Sequence, residues 1–346
     1  MNHIQIRPTR LIIGSLALLA ASGCAGTSGP GAPENRGVLL ATVDGGFSRL
    51  AWSSDGTQLI FATSNALSAI SVSTHAVRQL DASPSITILD LRSAGEWIYF
   101  AAAVATGSTD SNFRVSRVSP TAGAVEILLT KPWNGSEYVV VSDDERFLVA
   151  NQVLYDVQAA TQIALPAGRP IGFSPDGTQL LYYQRPAGSS TDSPTLISTA
   201  DGSSSQALHA TSSFYSGHRW EGNSPQLIDF GLDNGTLRLF EIDGVTGATH
   251  DLAQFGANPS FPTILPLANW SADNQTLAVW VEQGSGQSRT TNLYVIRSGS
   301  APAVVANVTT SLNVAVGLPV FSRSGNSVAY NYYNDAARSL YMKSGI

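Results

Sequence analysis

The chain has 346 residues, of which 13% are charged, with a formal net charge of −6 and a single cysteine. So mild an acidity gives the whole chain no electrostatic footprint for nucleic acid or for an anionic lipid surface. One cysteine excludes an intrachain disulfide, leaving packing and hydrogen bonding to hold the fold.

Residues 1–23 set Arg7 and Arg10 ahead of an apolar stretch at 11–20. That stretch is too short to cross a bilayer comfortably and reads as an export signal. It runs into Ala21-Ser22-Gly23-Cys24, which resembles a bacterial lipobox, although Ala21 stands where Leu is commoner. The resemblance implies that Cys24 is lipidated, with palmitate-type acyl chains, and becomes the first residue of the mature protein. Losing 1–23 removes two arginines and no acid, so the mature charge is −8. Residues 24–36 carry this cysteine and a Gly-, Ser- and Pro-rich run with nothing apolar to bury, which reads as a flexible tether. By the same resemblance, Ala25 after the cysteine implies the outer membrane, with periplasmic or surface exposure left open.

From residue 37 onward the sequence repeats. The clearest copies are Trp52-Ser53-Ser54-Asp55-Gly56, Phe173-Ser174-Pro175-Asp176-Gly177, Trp270-Ser271-Ala272-Asp273-Asn274 and Phe321-Ser322-Arg323-Ser324-Gly325. Each is followed by an apolar run, at 58–61, 179–182, 276–279 and 327–330. Weaker copies start at Leu91, Val141 and Trp220, so the seven anchors are spaced by 39, 50, 32, 47, 50 and 51 residues. Steps of about 45 residues fit one four-stranded propeller blade. The Asp-Gly pair supplies the positive φ that a tight turn needs. In the first copy strands are expected at 47–52, 59–62, 67–72 and 77–80. The last copy offers strands ending at Phe321 and at 327–332 and 339–343, but no fourth, whereas 37–43 belongs to no copy. Pairing 37–43 onto the outside of the last copy would cover an open edge. The expected fold is all-β: a single seven-bladed propeller of four-stranded antiparallel blades over 37–346, closed by its N-terminal strand, with six or eight blades as alternatives.

The block aromatic-Ser-x-Asp-Gly-x-x-apolar-x-apolar resembles the TolB-type, WD-like β-propeller repeat. The likeness is sharpest at 52–61, 173–182 and 270–279 and eroded in the second, third and fifth copies, where Glu145 and Ser224 replace Gly. TolB itself carries a further N-terminal domain and six blades, so the likeness implies a fold and not equivalence. The repeat also precedes the catalytic domain of prolyl-oligopeptidase-type hydrolases, but no Gly-x-Ser-x-Gly elbow occurs here.

Longer connections are expected together on one rim, at 105–112, 185–194, 209–218, 253–266, 283–291 and 308–318. Function tends to sit on such loops. The candidate partner face is Arg185, Phe214, Tyr215, His218, Arg219, Arg289, Tyr332, Tyr333, Asn334 and Asp335, because aromatic rings beside Arg and amides suit peptide or sugar surfaces. Repeated Trp52, Trp220 and Trp270 read as packing between blades. His75, His209, His218 and His250 form no zinc pattern, and the acids show no calcium-loop spacing. No cofactor is expected. The leading expectation is a non-enzymatic envelope lipoprotein presenting its long-loop face to an envelope protein. A glycan or peptide bound at the channel mouth is the alternative, and a lyase or lactonase is a third reading.

Overall fold

The computed structural model describes residues 35–43, 49–63, 65–82, 86–106, 111–121, 123–133, 138–150, 152–174, 176–184, 193–207, 219–220, 226–233, 236–243, 248–255, 268–271, 276–283, 288–297, 303–311, 315–333 and 338–346. Cys24 and residues 25–34 of the tether lie outside them, whereas its last two residues, Asn35 and Arg36, are described and hydrogen-bonded to the sheets, so the tether ends earlier than read. Among the described residues all regular structure is strand, and every ladder is antiparallel. Six sheets each take four consecutive strands, spanning 49–82, 86–132, 139–164, 168–207, 219–255 and 268–311. The seventh is composite. Ala315–Val316 and Val320–Phe321 hold its first position, followed by Ser327–Tyr333, Arg338–Ser344 and, from the other end of the chain, Val38–Val43.

The first strands of successive sheets lie against one another. Arg49–Trp52 meets Ile86–Ala94, which meets Val139–Val141, which meets Gly168–Phe173, while Val320–Phe321 touches both Arg49–Trp52 and Ala268–Trp270. Between neighbouring sheets the facing side chains form separate apolar clusters. Ile60, Leu67, Ile98 and Phe100 fill the first-to-second space, and Val149, Leu154, Leu180 and Tyr182 the third-to-fourth. Each fully buried Leu, Ile or Phe contributes about 1.5–3 kcal/mol, so stability is spread around the array.

The repeated Ser-x-Asp-Gly explains itself at atomic level. Ser53 is buried, with its hydroxyl donating to Asp55 Oδ1 at 2.6 Å and accepting the Gln58 N–H at 2.9 Å. Asp55 also accepts the Thr57 N–H at 3.0 Å. Ser174, Asp176, Thr178 and Gln179 repeat the arrangement with a Ser–Asp distance of 2.6 Å, and Ser142, Asp144 and Phe147 with 2.5 Å. Gly56, Gly177 and Gly325 take φ of 69°, 69° and 70°, as the turn demands. The serine hydroxyl, first of all, and then the threonine N–H hold Asp55 and Asp176 below the ordinary carboxylate range, against a smaller opposing push from burial.

A depressed carboxylate stabilises the fold above its unfolded value, about pH 4, and that contribution is lost as pH falls through the lower folded value. An Asp55→Asn/Asp176→Asn variant is therefore expected to melt about 2–4 °C below the parent at pH 7. The gap should narrow as pH falls below about 4. Thermal melts by circular dichroism between pH 7 and 3 would test this; a gap independent of pH refutes it.

The third copy departs from the pattern without losing the turn. Glu145 takes φ of 59° where glycine is usual. Its carboxylate accepts the Tyr99 hydroxyl at 2.6 Å and lies 3.7 Å from Arg117 Nη1, both from the second sheet. Burial, and then this carboxylate, push the Tyr99 hydroxyl up to about 12. A left-handed non-glycine residue costs of order 1 kcal/mol, and here it coincides with a link between sheets that glycine could not make.

The pairing between third and fourth strands steps by one residue at equivalent places. The step falls at Leu67/Ser68, Val115/Ser116, Leu239/Phe240 and Leu293/Tyr294 in the first, second, fifth and sixth sheets. In the seventh, Leu340 pairs with Ala41 and Tyr341 with Leu39, so Leu40 is the extra residue. Alignment on the second-to-third strand registers puts Leu340/Tyr341 at the position of Leu67/Ser68. Val38–Val43 thus takes the bulged register of a native fourth strand. Leu40 is 5% exposed and packs with Trp52, Phe61, Leu340 and Met342 across the junction of first and last sheets.

The residues just before this strand form a clamp. Asn35 exchanges two backbone hydrogen bonds with Asn307 of the sixth sheet, at 3.2 and 3.1 Å, and its Oδ1 accepts from Lys343 Nζ at 3.0 Å. Tyr330 donates its hydroxyl to the Arg36 carbonyl at 2.5 Å. Gly37, with φ of 78°, lies so close to Met342 that an added Cβ would meet the Met342 carbonyl oxygen at 2.4 Å.

Four of the six expected long connections, 105–112, 253–266, 283–291 and 308–318, are shorter than read. Strands reach Ala105 and restart at Ser111, reach Gln283 and restart at Ser288, and run on to Phe255 and Ser311. Ladder pairing such as Thr290 with Thr309 absorbs residues assigned to loops.

Candidate functional site

The residues named from the sequence do not converge among the described ones. Arg185, Phe214, Tyr215, His218, Asn334 and Asp335 lie outside the described residues. Arg219 opens a first strand, paired with Ile228, and Arg289 sits within a ladder opposite Thr310 and not in a loop. Tyr332 and Tyr333 are successive residues of Ser327–Tyr333 and therefore point to opposite faces. Tyr332 is 4% exposed, with the Arg36 guanidinium 4.2 Å above its ring and Arg36 Nη2 donating to its hydroxyl at 3.2 Å. Tyr341 stands edge-on to it at 6.2 Å. Tyr332 serves the junction that holds the N-terminal strand. Tyr333 is half-buried, accepting from Asn331 Nδ2 at 3.1 Å with Arg338 over its ring at 4.9 Å.

A different cluster occupies the first strands. Asp90, 2% exposed, sits in Ile86–Ala94 just after a register step. Its carboxylate accepts the Leu91 N–H at 2.9 Å and, from the third sheet, the Val139 N–H at 3.2 Å. Arg49 Nε of the first sheet and Arg92 Nη2 each stand 3.5 Å away, with side chains 42% and 37% exposed. One acid thus braces three sheets and leaves a local excess of one positive charge. Two guanidinium groups in this position can receive a carboxylate or phosphate as well as the resident aspartate.

The sequence reading missed Asp90, although a signal was there: a lone acid within the apolar run Ile86-Thr87-Ile88-Leu89-Asp90-Leu91. A charge in such a strand must be paired. Farther along the first strands, Arg169 lies over Tyr183 at 5.2 Å and Tyr138 at 5.9 Å. No group of three or more His, Cys, Asp or Glu with metal-binding geometry occurs among the described residues. Among them, no helix is long and apolar enough to cross a membrane.

No family model matches the sequence, and no curated protein is similar to it. Solved structures do match. A prolyl endopeptidase superposes with a TM-score of 0.58 at 13% identity, covering 88% of this chain and 49% of that one, so this chain spans about half its length. A chain of the mitotic checkpoint complex gives 0.55 at 14% identity, covering 90% and 96%. TolB proteins are also among the matches; one, a candidate TolB from Agrobacterium tumefaciens, gives 0.42 at 15% identity, covering 62% and 83%, a superposition too loose to argue from. At such identities the likeness speaks to fold alone. Four-stranded antiparallel sheets whose first strands lie side by side make the fold a β-propeller, and TolB proteins are among its structural neighbours.

Proposed function

We propose that the protein is a non-enzymatic scaffold of the bacterial envelope, anchored by lipid at Cys24 and displaying a rigid ring to a protein partner. In this reading the seven sheets close into one ring, Val38–Val43 completing the last blade. The ring sits at the outer membrane, and the rim bearing the longer connections faces the partner. The observation that carries it is the clamp at Asn35–Gly37. The first described residues, Asn35 and Arg36 at the end of the tether, are bonded to both the sixth and seventh sheets, so a pull on the anchor is delivered to the assembled body and not to a loose end. Crosslinking in intact envelopes followed by affinity recovery is expected to yield one protein at reproducible stoichiometry. Recovery of the chain by itself, at native abundance, removes the reading.

A second reading is favoured by the Arg49–Asp90–Arg92 cluster: an acidic glycan or peptide taken at the channel mouth. On glycan and peptide arrays an acidic ligand is expected to bind, and Arg49→Ala/Arg92→Ala to lower that signal about tenfold or more. An array signal indifferent to both arginines rules it out.

A further inference from the structure

The average acidity of the chain conceals a division. Across 35–43 and 283–346 the side chains bear six positive charges (Arg36, Arg289, Arg297, Arg323, Arg338, Lys343) against one negative, Asp335. Across 44–282 there are eleven positive charges against 23 negative. The basic portion comprises the seventh sheet and the last two strands of the sixth, where the N-terminal clamp is made, while residues 268–282 of the sixth add the acids Asp273 and Glu282.

Three of these residues share one end of the sheets. Arg323 is exposed in the turn between first and second strands of the seventh sheet, and Lys343 lies near the end of Arg338–Ser344. Arg297 ends Ser288–Arg297 and reaches the Ile346 carbonyl. Beside them the outermost strands expose Val38, Leu39 and Val304, at 49%, 46% and 51%. Native proteins usually blunt such edges with charge or cover them.

The tether fixes what lies opposite. Ten residues, 25–34, separate Cys24 from Asn35, where the clamp begins. Fully extended they reach about 40 Å, and as a flexible chain they average about 20 Å. The body is therefore held next to the surface into which Cys24 is inserted, and the side from which the tether leaves is the basic, apolar-edged one. Basic residues within a Debye length of anionic headgroups are attracted to them, and aliphatic side chains between them enter the interface.

We propose that the outer edge of the sixth and seventh sheets, at their short-turn end, rests on a bilayer bearing anionic phospholipid headgroups. This orientation turns the longer connections away from the membrane. It deepens the anchored-scaffold reading and rests on it for the position of the lipid.

The test supplies the lipid chemically. The mature chain, from Cys24, is coupled through that thiol to maleimide lipids in vesicles of phosphatidylcholine alone or with about one third phosphatidylglycerol. Hydroxyl-radical footprinting then reads Val38, Leu39 and Val304, with exposed Val77 and Val157 of the first and third sheets as controls. Oxidation of the first three is expected to fall about twofold or more on the anionic vesicles only, the controls being unchanged. About 1 M salt, where the Debye length is about 3 Å, is expected to abolish the protection. Arg323→Glu/Lys343→Glu should abolish it too. Equal oxidation on both vesicles, protection of Val77 or Val157 instead, or a double variant protected like the parent overturns the proposal. If protein extracted from envelopes carries no acyl chain on Cys24, the anchor reading fails separately, whatever the vesicles show.

Discussion

Leu40→Asp is expected to abolish cooperative unfolding of the protein, while Leu39→Asp, one residue away, shifts its stability by no more than about 0.5 kcal/mol. Leu40 is the extra residue at the register step and Leu39 the paired residue before it: Leu39 is 46% exposed and Leu40 5%. Leu40 faces Trp52, Phe61, Leu340 and Met342, so an aspartate there buries an unpaired charge between the first and last sheets. The milder Leu40→Ala removes apolar atoms and leaves a cavity, at a cost of about 2–5 kcal/mol. Urea titration followed by tryptophan fluorescence measures all three. If the two aspartate variants behave alike, Val38–Val43 is not an integral fourth strand.

Trp280 is expected to give the second large effect. It is fully buried, its ring edge-on to Tyr330 at 4.9 Å, and its Nε1 donates to the Gly317 carbonyl at 3.1 Å. Gly317 lies between the two short pieces of the last sheet's first strand, and its N–H donates to the Asn331 carbonyl at 2.8 Å. Trp52 fastens the same strand from the other side, donating Nε1 to the Val320 carbonyl at 3.0 Å. Trp280→Ala should cost about 3–5 kcal/mol through lost packing. Trp280→Phe keeps most of the ring but leaves the Gly317 carbonyl without its donor, about 1–3 kcal/mol. Chemical denaturation of both variants separates the terms, and a phenylalanine variant as stable as the parent would show that the indole N–H contributes nothing.

The parts of the fold that were legible in the sequence are those where one physical demand selects few residue types. The Ser-x-Asp-Gly turns need a buried hydroxyl, an acceptor and a positive φ, so they persist as a pattern. The pairing of Val38–Val43 followed from an unfilled position at one end and a surplus strand at the other. The outer part of the ladder Ser288–Arg297 with Ala303–Ser311 was hidden because it is built on β-branched polar residues, Thr290 paired with Thr309 and Thr291 and Thr310 beside them, which an apolar alternation cannot reveal. Of the candidate site, Tyr332 was visible as an aromatic but not as buried, since the arginine covering it lies 296 residues away in sequence. Asp90 was overlooked because, besides Leu91 and Arg92 of its own strand, its partners Arg49 and Val139 come from two other sheets.

The bond from Tyr330 to Arg36 joins residues 294 apart. The earliest part of the body to be synthesised must therefore wait for the latest, with one edge bare meanwhile. Ribosomal synthesis ends before folding can, and the half-made array is an aggregation hazard for as long as elongation takes. A chaperone that shields the waiting leucines would be worth more to this chain than one acting after release.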